Sequence, residues 1–244
     1  MDWFQKWFDS PYYHLLYTNR SETEAENFIK KIAAHLQIKK GAKVIDIACG
    51  KGRHARTLHS LELKVTGIDL SPNSIAYAKQ FETETLQFAV CDMRQAYAVD
   101  TYQYAFNLFS SFGYFDSDAE DAKAIKAFAD CLQVGGILVL DYINTQYAVA
   151  NIKPREIIQR EDTQFHIQKK LENGFIKKKI EFLANGEHYN FEEQLKVINL
   201  FKFEKMLASA GFKLQAQFGD YDLNIFNAAT SPRLILIAIK NTLC

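Results

Sequence analysis

The chain has 244 residues, 48% hydrophobic and 24% charged, an ordinary globular composition that excludes disordered, collagen-like and fibrous classes and points to about one elaborated domain. Lys plus Arg and Asp plus Glu balance at 29 each, so the molecule as a whole lacks the basic footprint that drives nucleic-acid binding by counterion release. Cys49, Cys91, Cys131 and Cys244 stand far apart with no C-x-x-C pair, which disfavours a zinc ribbon or disulfide scaffold and fits a reducing cytosol.

The opening segment MDWFQKWFDSPYYHLLY carries acids and no uninterrupted apolar run, so it is read as neither a signal peptide nor a membrane span. Trp3, Phe4, Trp7, Phe8, Tyr12, Tyr13 and Tyr17 recur at spacings of three and four and fit one helical face. Residues 22–37 place Ala25, Phe28, Ile29, Ile32, Ala33 and Leu36 on one helical face, with Gly41 as the expected stop. Short apolar runs then alternate with helical stretches. They are KVIDIA (43–48), a helix from about Gly52, LKVTGID (63–69), a helix after Ser71-Pro72, and LQFAV (86–90). YQYAFNLF (102–109), a helix of about 117–132 and GGILVLDYI (135–143) complete the series. Strands separated by helices imply right-handed βαβ units and a parallel sheet.

Near Asn144 the texture changes. Residues 155–199 alternate, broken at Asn173-Gly174 and Asn185-Gly186, and such Asn-Gly pairs are strong hairpin signals. An antiparallel insertion over 144–199 is expected, followed by a helix (201–211), a strand GFKLQAQFG and the buried strand RLILIAIK (233–240). The insertion's lysines, Lys169-Lys170 and Lys177-Lys178-Lys179, read as solvated protection of edge strands. His166 and His188 show no metal-ligand spacing, and no metal site is expected.

The segment VIDIACGKGRHA (44–55) ends a strand near Asp46 and passes through Gly50 and Gly52 into a helix. Glycines let a ligand approach the backbone, and a helix N-terminus favours a carboxylate or phosphate. Asp69 ends the second strand, placed for ribose hydroxyls. G-K-G-R-H-A also fits the dinucleotide fingerprint, but a carboxylate at Asp46 would repel a pyrophosphate and suits the ammonium and sulfonium of S-adenosylmethionine (SAM). A buried or helix-capping acid is the plain alternative for Asp46. Asp92 and Met93, ending the third strand, suit adenine. Asn107, Phe109, Phe112, Tyr114 and Phe115 lie in the loop expected to face the reactive end of the ligand.

These motifs resemble the class I SAM-dependent methyltransferase family over residues 43–142. VIDIACGKG is similar to its first motif, GIDLS to its second-strand acid, CDM to its adenine segment, NLFSSFGYF to its fourth motif and LQVGGILVLD to its fifth strand. The resemblance implies a Rossmann-like, seven-stranded, mostly parallel α/β sheet, formed by residues 41–143 and 200–244, with the antiparallel insertion between the fifth strand and the last helix. It implies SAM as cofactor, bound by Arg20, Asp46, Ala48, Cys49, Gly50, Gly52, Asp69, Leu70, Asp92, Met93, Asn107 and Phe109. Methyl transfer by in-line displacement to a small-molecule acceptor follows, with Asn107, Tyr114 and Tyr142 orienting the acceptor. Residues 1–40 are expected to form a helical lid in which Tyr12, Tyr13 or Tyr17 meets the reacting groups and Arg20 pairs with the SAM carboxylate. The insertion is expected to cap the acceptor or to join two copies of the chain. Ala48 replaces the family's usual glycine and is expected to hold a negative φ. The sequence lacks the Asn/Asp-Pro-Pro-Tyr motif of enzymes that methylate planar amides or base amines. A nicotinamide oxidoreductase and a non-catalytic SAM-binding module are the competing readings.

Overall fold

The structure, a computed structural model, describes residues 3–18 and 22–241. Its first layer is a seven-stranded sheet whose strands follow the apolar runs: β1 (Lys43–Ile47), β2 (Lys64–Asp69), β3 (Leu86–Val90), β4 (Tyr102–Asn107), β5 (Leu132–Ile143), β10 (Phe212–Phe218) and β11 (Arg233–Lys240). The spatial order is β10-β11-β5-β4-β1-β2-β3, with β11 antiparallel to both its neighbours and the remaining pairings parallel. Chain order reverses between β1 and β4, so a crevice opens there above the carboxyl ends of the strands.

Buried apolar residues cover both faces of this sheet, as a parallel sheet requires. On one face Phe28, Ile29 and Ile32 of α3 (Glu22–His35), Ala55 and Leu58 of α4 (Arg53–Ser60) and Ile75 and Ala78 of α5 (Pro72–Ala78) pack on Val44, Val65 and Phe106. On the other, Ile125 and Phe128 of α6 (Asp118–Cys131) and Phe203 and Leu207 of α8 (Leu200–Ser209) pack on Ile45, Leu138 and Leu140. The helix α3 stops before the expected Gly41, because Gln37 already takes the left-handed conformation at φ 51°.

Between β5 and α8 the chain forms α7 (Thr145–Ala150) and a second, antiparallel sheet in the order β6-β7-β8-β9 (Arg155–Arg160, Thr163–Glu172, Phe175–Ala184, Glu187–Lys196). Both Asn-Gly pairs have positive φ at both residues, 52° and 79°, then 51° and 79°. Those are two-residue turns that match the twist of a hairpin. The lysine run sits on β8, a central strand and not an edge. Lys169, Lys170, Lys177, Lys178 and Lys179 each face an acid: Glu156, Glu172 (for both Lys170 and Lys177), Glu193 and Glu181. Their charges are matched within the sheet, because opposite charges are set beside one another across and along its strands. The insertion is rooted where it leaves and rejoins the core: the Thr145 hydroxyl donates to the Ile198 carbonyl at 3.0 Å and the Tyr142 hydroxyl to that of Lys196 at 2.6 Å.

The N-terminal aromatics do not form one helix. Pro11 cannot donate the hydrogen bond a continuing helix needs, and the chain restarts with Ser10 as N-cap, giving α1 (Trp3–Phe8) and α2 (Pro11–Leu16). These two helices lie against the second sheet, with Trp7 and Leu16 packed on Phe165, Ile180 and Phe182. A polar clamp reinforces that contact. Glu193 accepts from Trp7 Nε1 at 2.5 Å and from the Tyr17 hydroxyl at 2.8 Å, and Lys178 lies 3.4 Å from it and donates to the Tyr17 hydroxyl. Replacing Glu193 with Ala leaves Lys178 inside without its carboxylate, at an expected cost of about 3 kcal/mol. Urea unfolding should show that loss, with residues 3–18 the first protease-sensitive segment; an unchanged midpoint contradicts the clamp.

Candidate cofactor and acceptor site

A cavity of about 710 Å³ lies over the crevice, within the ~300–1,000 Å³ range of small-molecule sites. Its floor is the loop after β1, with Ala48, Cys49 and Gly50, and the loop after β2, with Asp69 and Leu70. Gly50 has φ 55° and nothing within 4 Å of where a Cβ would stand, so bare backbone faces the opening. Gly52 serves a different purpose. A Cβ there would meet Phe88 at 2.7 Å, so it is a packing glycine that starts α4, and it is not among the cavity's lining residues.

Ala48 has φ 59°, which corrects the expected negative value. The left-handed conformation costs a residue with a Cβ about 1 kcal/mol, and the loop holds it there by the bond from the Cys49 N–H to the Ile68 carbonyl at 2.9 Å. Cys49 closes the floor, and burial followed by the nearby Asp46 and Asp69 pushes its thiol pKa well above the ordinary range.

Asp69 is the acid that binds this floor together. Its carboxylate accepts from the Gly50 N–H and the Ser71 N–H, each at 2.8 Å, and burial raises its pKa above the usual carboxylate value. The Leu70 N–H acts on the same carboxylate, and because a carboxylate offers about four lone-pair sites an acceptor direction remains open. Asp46 stands apart from the cavity. It is 1% exposed, accepts from the Ala55 N–H in the first turn of α4, and its Oδ2 has no partner. Gly52 has no side chain with which to cap α4, and Asp46 supplies that cap from below. Burial first, then the neighbouring Asp69, pushes its pKa up to about 8.

Asp92 and Met93 line the adjoining wall. Burial would raise the Asp92 pKa, but the Arg94 guanidinium outweighs it, donating from Nε at 3.1 Å and 3.0 Å and from Nη2 at 2.6 Å. Arg94 in turn bridges to Glu120 at 2.5 Å.

Beyond β4, Phe109 and Ser110 are both left-handed, at φ 57° and 61°. Two such residues in succession persist only where their surroundings hold them, and here the anchor is Asp141 at the end of β5. Its side chain accepts from the Phe109 N–H at 2.8 Å and its carbonyl from the Ser110 N–H at 2.9 Å. Asp141 is fully buried and neutralised by Arg233 at 2.7 Å, and it also accepts from the Tyr221 hydroxyl at 3.1 Å. The Tyr221 ring stacks on Phe109 at 5.2 Å. Asp141, Arg233 and Tyr221 were not among the expected site residues, although an acid ending an apolar strand and an arginine heading RLILIAIK are both visible in the sequence.

Among the other expected residues, Leu70, Phe109, Tyr114 and Phe115 line the cavity. Asn107 lies beneath it, fully buried, with Nδ2 donating to the Ile47 carbonyl at 3.1 Å and Oδ1 unpartnered. Tyr142 is sealed in the core beside Phe112 and Phe203, since its hydroxyl is committed to the root of the insertion. In the roof, Tyr13 and Tyr17 reach the cavity with Phe4 and Phe8, whereas Tyr12 packs outward on Phe182 and Tyr189. Arg20 lies outside the described residues.

Two measurements check this floor. Ala48→Gly relieves the strained φ and should leave stability unchanged or raise it by up to about 1 kcal/mol, against a loss of about 1 kcal/mol or more for Ala124→Gly inside α6. A loss at both positions contradicts the strained assignment. A carboxyl with a raised folded pKa binds its proton more tightly when folded, so its contribution is present below pH 3.8 and is lost as pH rises toward about 8. Across that window the stability of wild type should fall more steeply than that of Asp46→Asn; parallel profiles contradict it.

A family model described as a methyltransferase domain matches residues 38–217. YqeM of Bacillus subtilis (strain 168), which carries a provisional methyltransferase name, is 27% identical over 232 residues, 91% of this chain and 92% of its own length. Among solved structures, an S-adenosylmethionine-dependent methyltransferase from Clostridium acetobutylicum ATCC 824 superposes with a TM-score of 0.80 at 16% identity, over 95% of this chain and 96% of the other. The sugar N-methyltransferase KedS8 from Streptoalloteichus sp ATCC 53650 does so with a TM-score of 0.72 at 21% identity, over 94% and 93%. No helix among the described residues is long and apolar enough to cross a membrane. With its strand order, its glycine loop and a family model spanning most of its length, the chain belongs to the SAM-dependent methyltransferases.

Proposed function

We propose that the cavity holds SAM across the carboxyl ends of β1 to β4 and passes its methyl group to a small-molecule amine lying under the N-terminal rings. The observation that carries this reading is Asp69, an acid at the end of β2 that lines a roomy cavity and keeps an acceptor direction for a hydroxyl, as a ribose presents. Met93 offers an apolar surface to the adenine, beside the Asp92 carboxylate that Arg94 holds. Gly50 gives the cofactor's amino-acid tail unobstructed backbone.

SAM supplies a methyl group that already carries its leaving group. What remains for the protein is to align the acceptor and keep water out. Phe4, Phe8, Tyr13, Tyr17, Tyr114 and Phe115 supply that dry wall. Phe8 meets Tyr13 at 4.9 Å and Tyr114 at 5.0 Å, so rings of the N-terminal segment and of the loop after β4 form one surface. Ring faces attract cationic and partly positive nitrogen, which favours an amine over a carboxylate, and likeness to a sugar N-methyltransferase supports the same choice. The lysines of β7 and β8 are matched by acids of the same sheet, which favours a small acceptor over a nucleic acid.

Titration calorimetry with S-adenosylhomocysteine (SAH) should give micromolar binding to wild type and a loss of about tenfold or more in Asp69→Ala, with no NADH binding. Mass spectrometry of a panel of primary amines, phenols and carboxylic acids incubated with SAM should find methyl transfer to amines. NADH binding without SAH binding, or methylation of carboxylates alone, contradicts the proposal.

A further inference from the structure

His14 reaches the cavity without a task in either the packing or the cofactor reading. It sits on α2, half-buried, and lines the cavity beside Tyr13, whose ring it meets edge-on at 5.4 Å. Among the described residues neither ring nitrogen has a hydrogen-bond partner in the structure. On the wall of the cavity these nitrogens are open to whatever enters it, water or a ligand.

The charged groups that act on the ring are Lys51 of the glycine loop and Asp9 of the turn before α2. Asp9 is already engaged, accepting from the Ser71 hydroxyl and from Asn73 Nδ2 at 2.7 Å. Burial, then Lys51, lowers the His14 pKa to about 4. The imidazole is therefore neutral at physiological pH, with one N–H and one exposed lone pair.

We propose that His14 orients the methyl acceptor, its bare ring nitrogen accepting a hydrogen bond from an N–H of the incoming amine. This rests on the methyl-transfer reading and adds a residue and a substrate class to it. An amine attacks with its lone pair, and a hydrogen bond from one of its N–H groups fixes rotation so that the lone pair stays free to point at the methyl group. In the transfer the new N–C bond forms from that lone pair as the C–S bond breaks, the sulfonium takes the electron pair and becomes a thioether, and the N-methylammonium product later gives its proton to water. His14 holds the amine and need not be its base. A tertiary amine has no N–H to give, so the site takes primary and secondary amines and stops at the tertiary product.

The panel of primary amines incubated with SAM probes this without knowledge of the natural acceptor. Calorimetry should show SAH affinity within about twofold across wild type, His14→Gln and His14→Leu. For the primary amine that wild type methylates best, KM should rise about tenfold in His14→Leu and be largely kept in His14→Gln, which retains an acceptor atom. An unchanged KM in His14→Leu overturns the proposal, and so does an equal loss of SAH affinity, which would make His14 a cofactor contact. Failure of wild type to bind SAH or to methylate any amine would instead remove the methyl-transfer reading beneath it.

Discussion

The paired bonds from the Gly50 and Ser71 N–H groups to Asp69 are the constraint on which the rest of the molecule turns. They tie the loop after β1 to the end of the neighbouring β2 beside the crevice and fix the backbone that a nucleoside would lie upon. Gly52 packs against Phe88 beneath that floor, and Asp46 caps α4 from below. The floor is therefore set by contacts on its buried side, leaving its upper side open. Ala48 shows the cost of this arrangement. A residue with a Cβ is held in a conformation that favours glycine, because the bonds on either side of it leave no alternative path for the chain.

Above the floor, the N-terminal segment serves two surfaces at once. Trp7, Leu16 and Tyr12 face the second sheet, whereas Phe4, Phe8, Tyr13 and His14 face the cavity. Asp9 bonds to Ser71, the same residue whose N–H reaches Asp69, so the roof and the acid of the floor meet at one point. The four-stranded sheet acts on the site through this segment: Glu193 and Lys178 hold the helices that carry the rings.

Much of this was legible in the chain. Period and punctuation placed the strands of the main sheet, and the two Asn-Gly pairs placed hairpins, because only residues tolerant of positive φ can make those turns. That Asp69, Asp92 and Met93 line one cavity was readable because strand ends in a parallel sheet lie side by side. Three kinds of feature were not. Asn107 and Tyr142 carry polar groups suited to an acceptor, and only the fold shows both side chains buried, the Asn107 Nδ2 donating to the Ile47 carbonyl and the Tyr142 hydroxyl to that of Lys196. The break at Pro11 divided an aromatic face that spacing alone presented as continuous. The Asp141, Arg233 and Tyr221 network joins Asp141 to residues 80 and 92 positions away in sequence, and no local pattern announces a contact of that range.

The central claim is that a nucleoside lies along the carboxyl edge of the strands, with its sugar on Asp69. A crystal structure of the chain with SAH tests it most directly. The account predicts the ribose hydroxyls within hydrogen-bonding distance of the Asp69 carboxylate, the adenine between Leu70 and Met93, and the amino-acid tail over Gly50. Density for the ligand elsewhere, or a ribose that leaves Asp69 bonded only to backbone N–H groups, would contradict it.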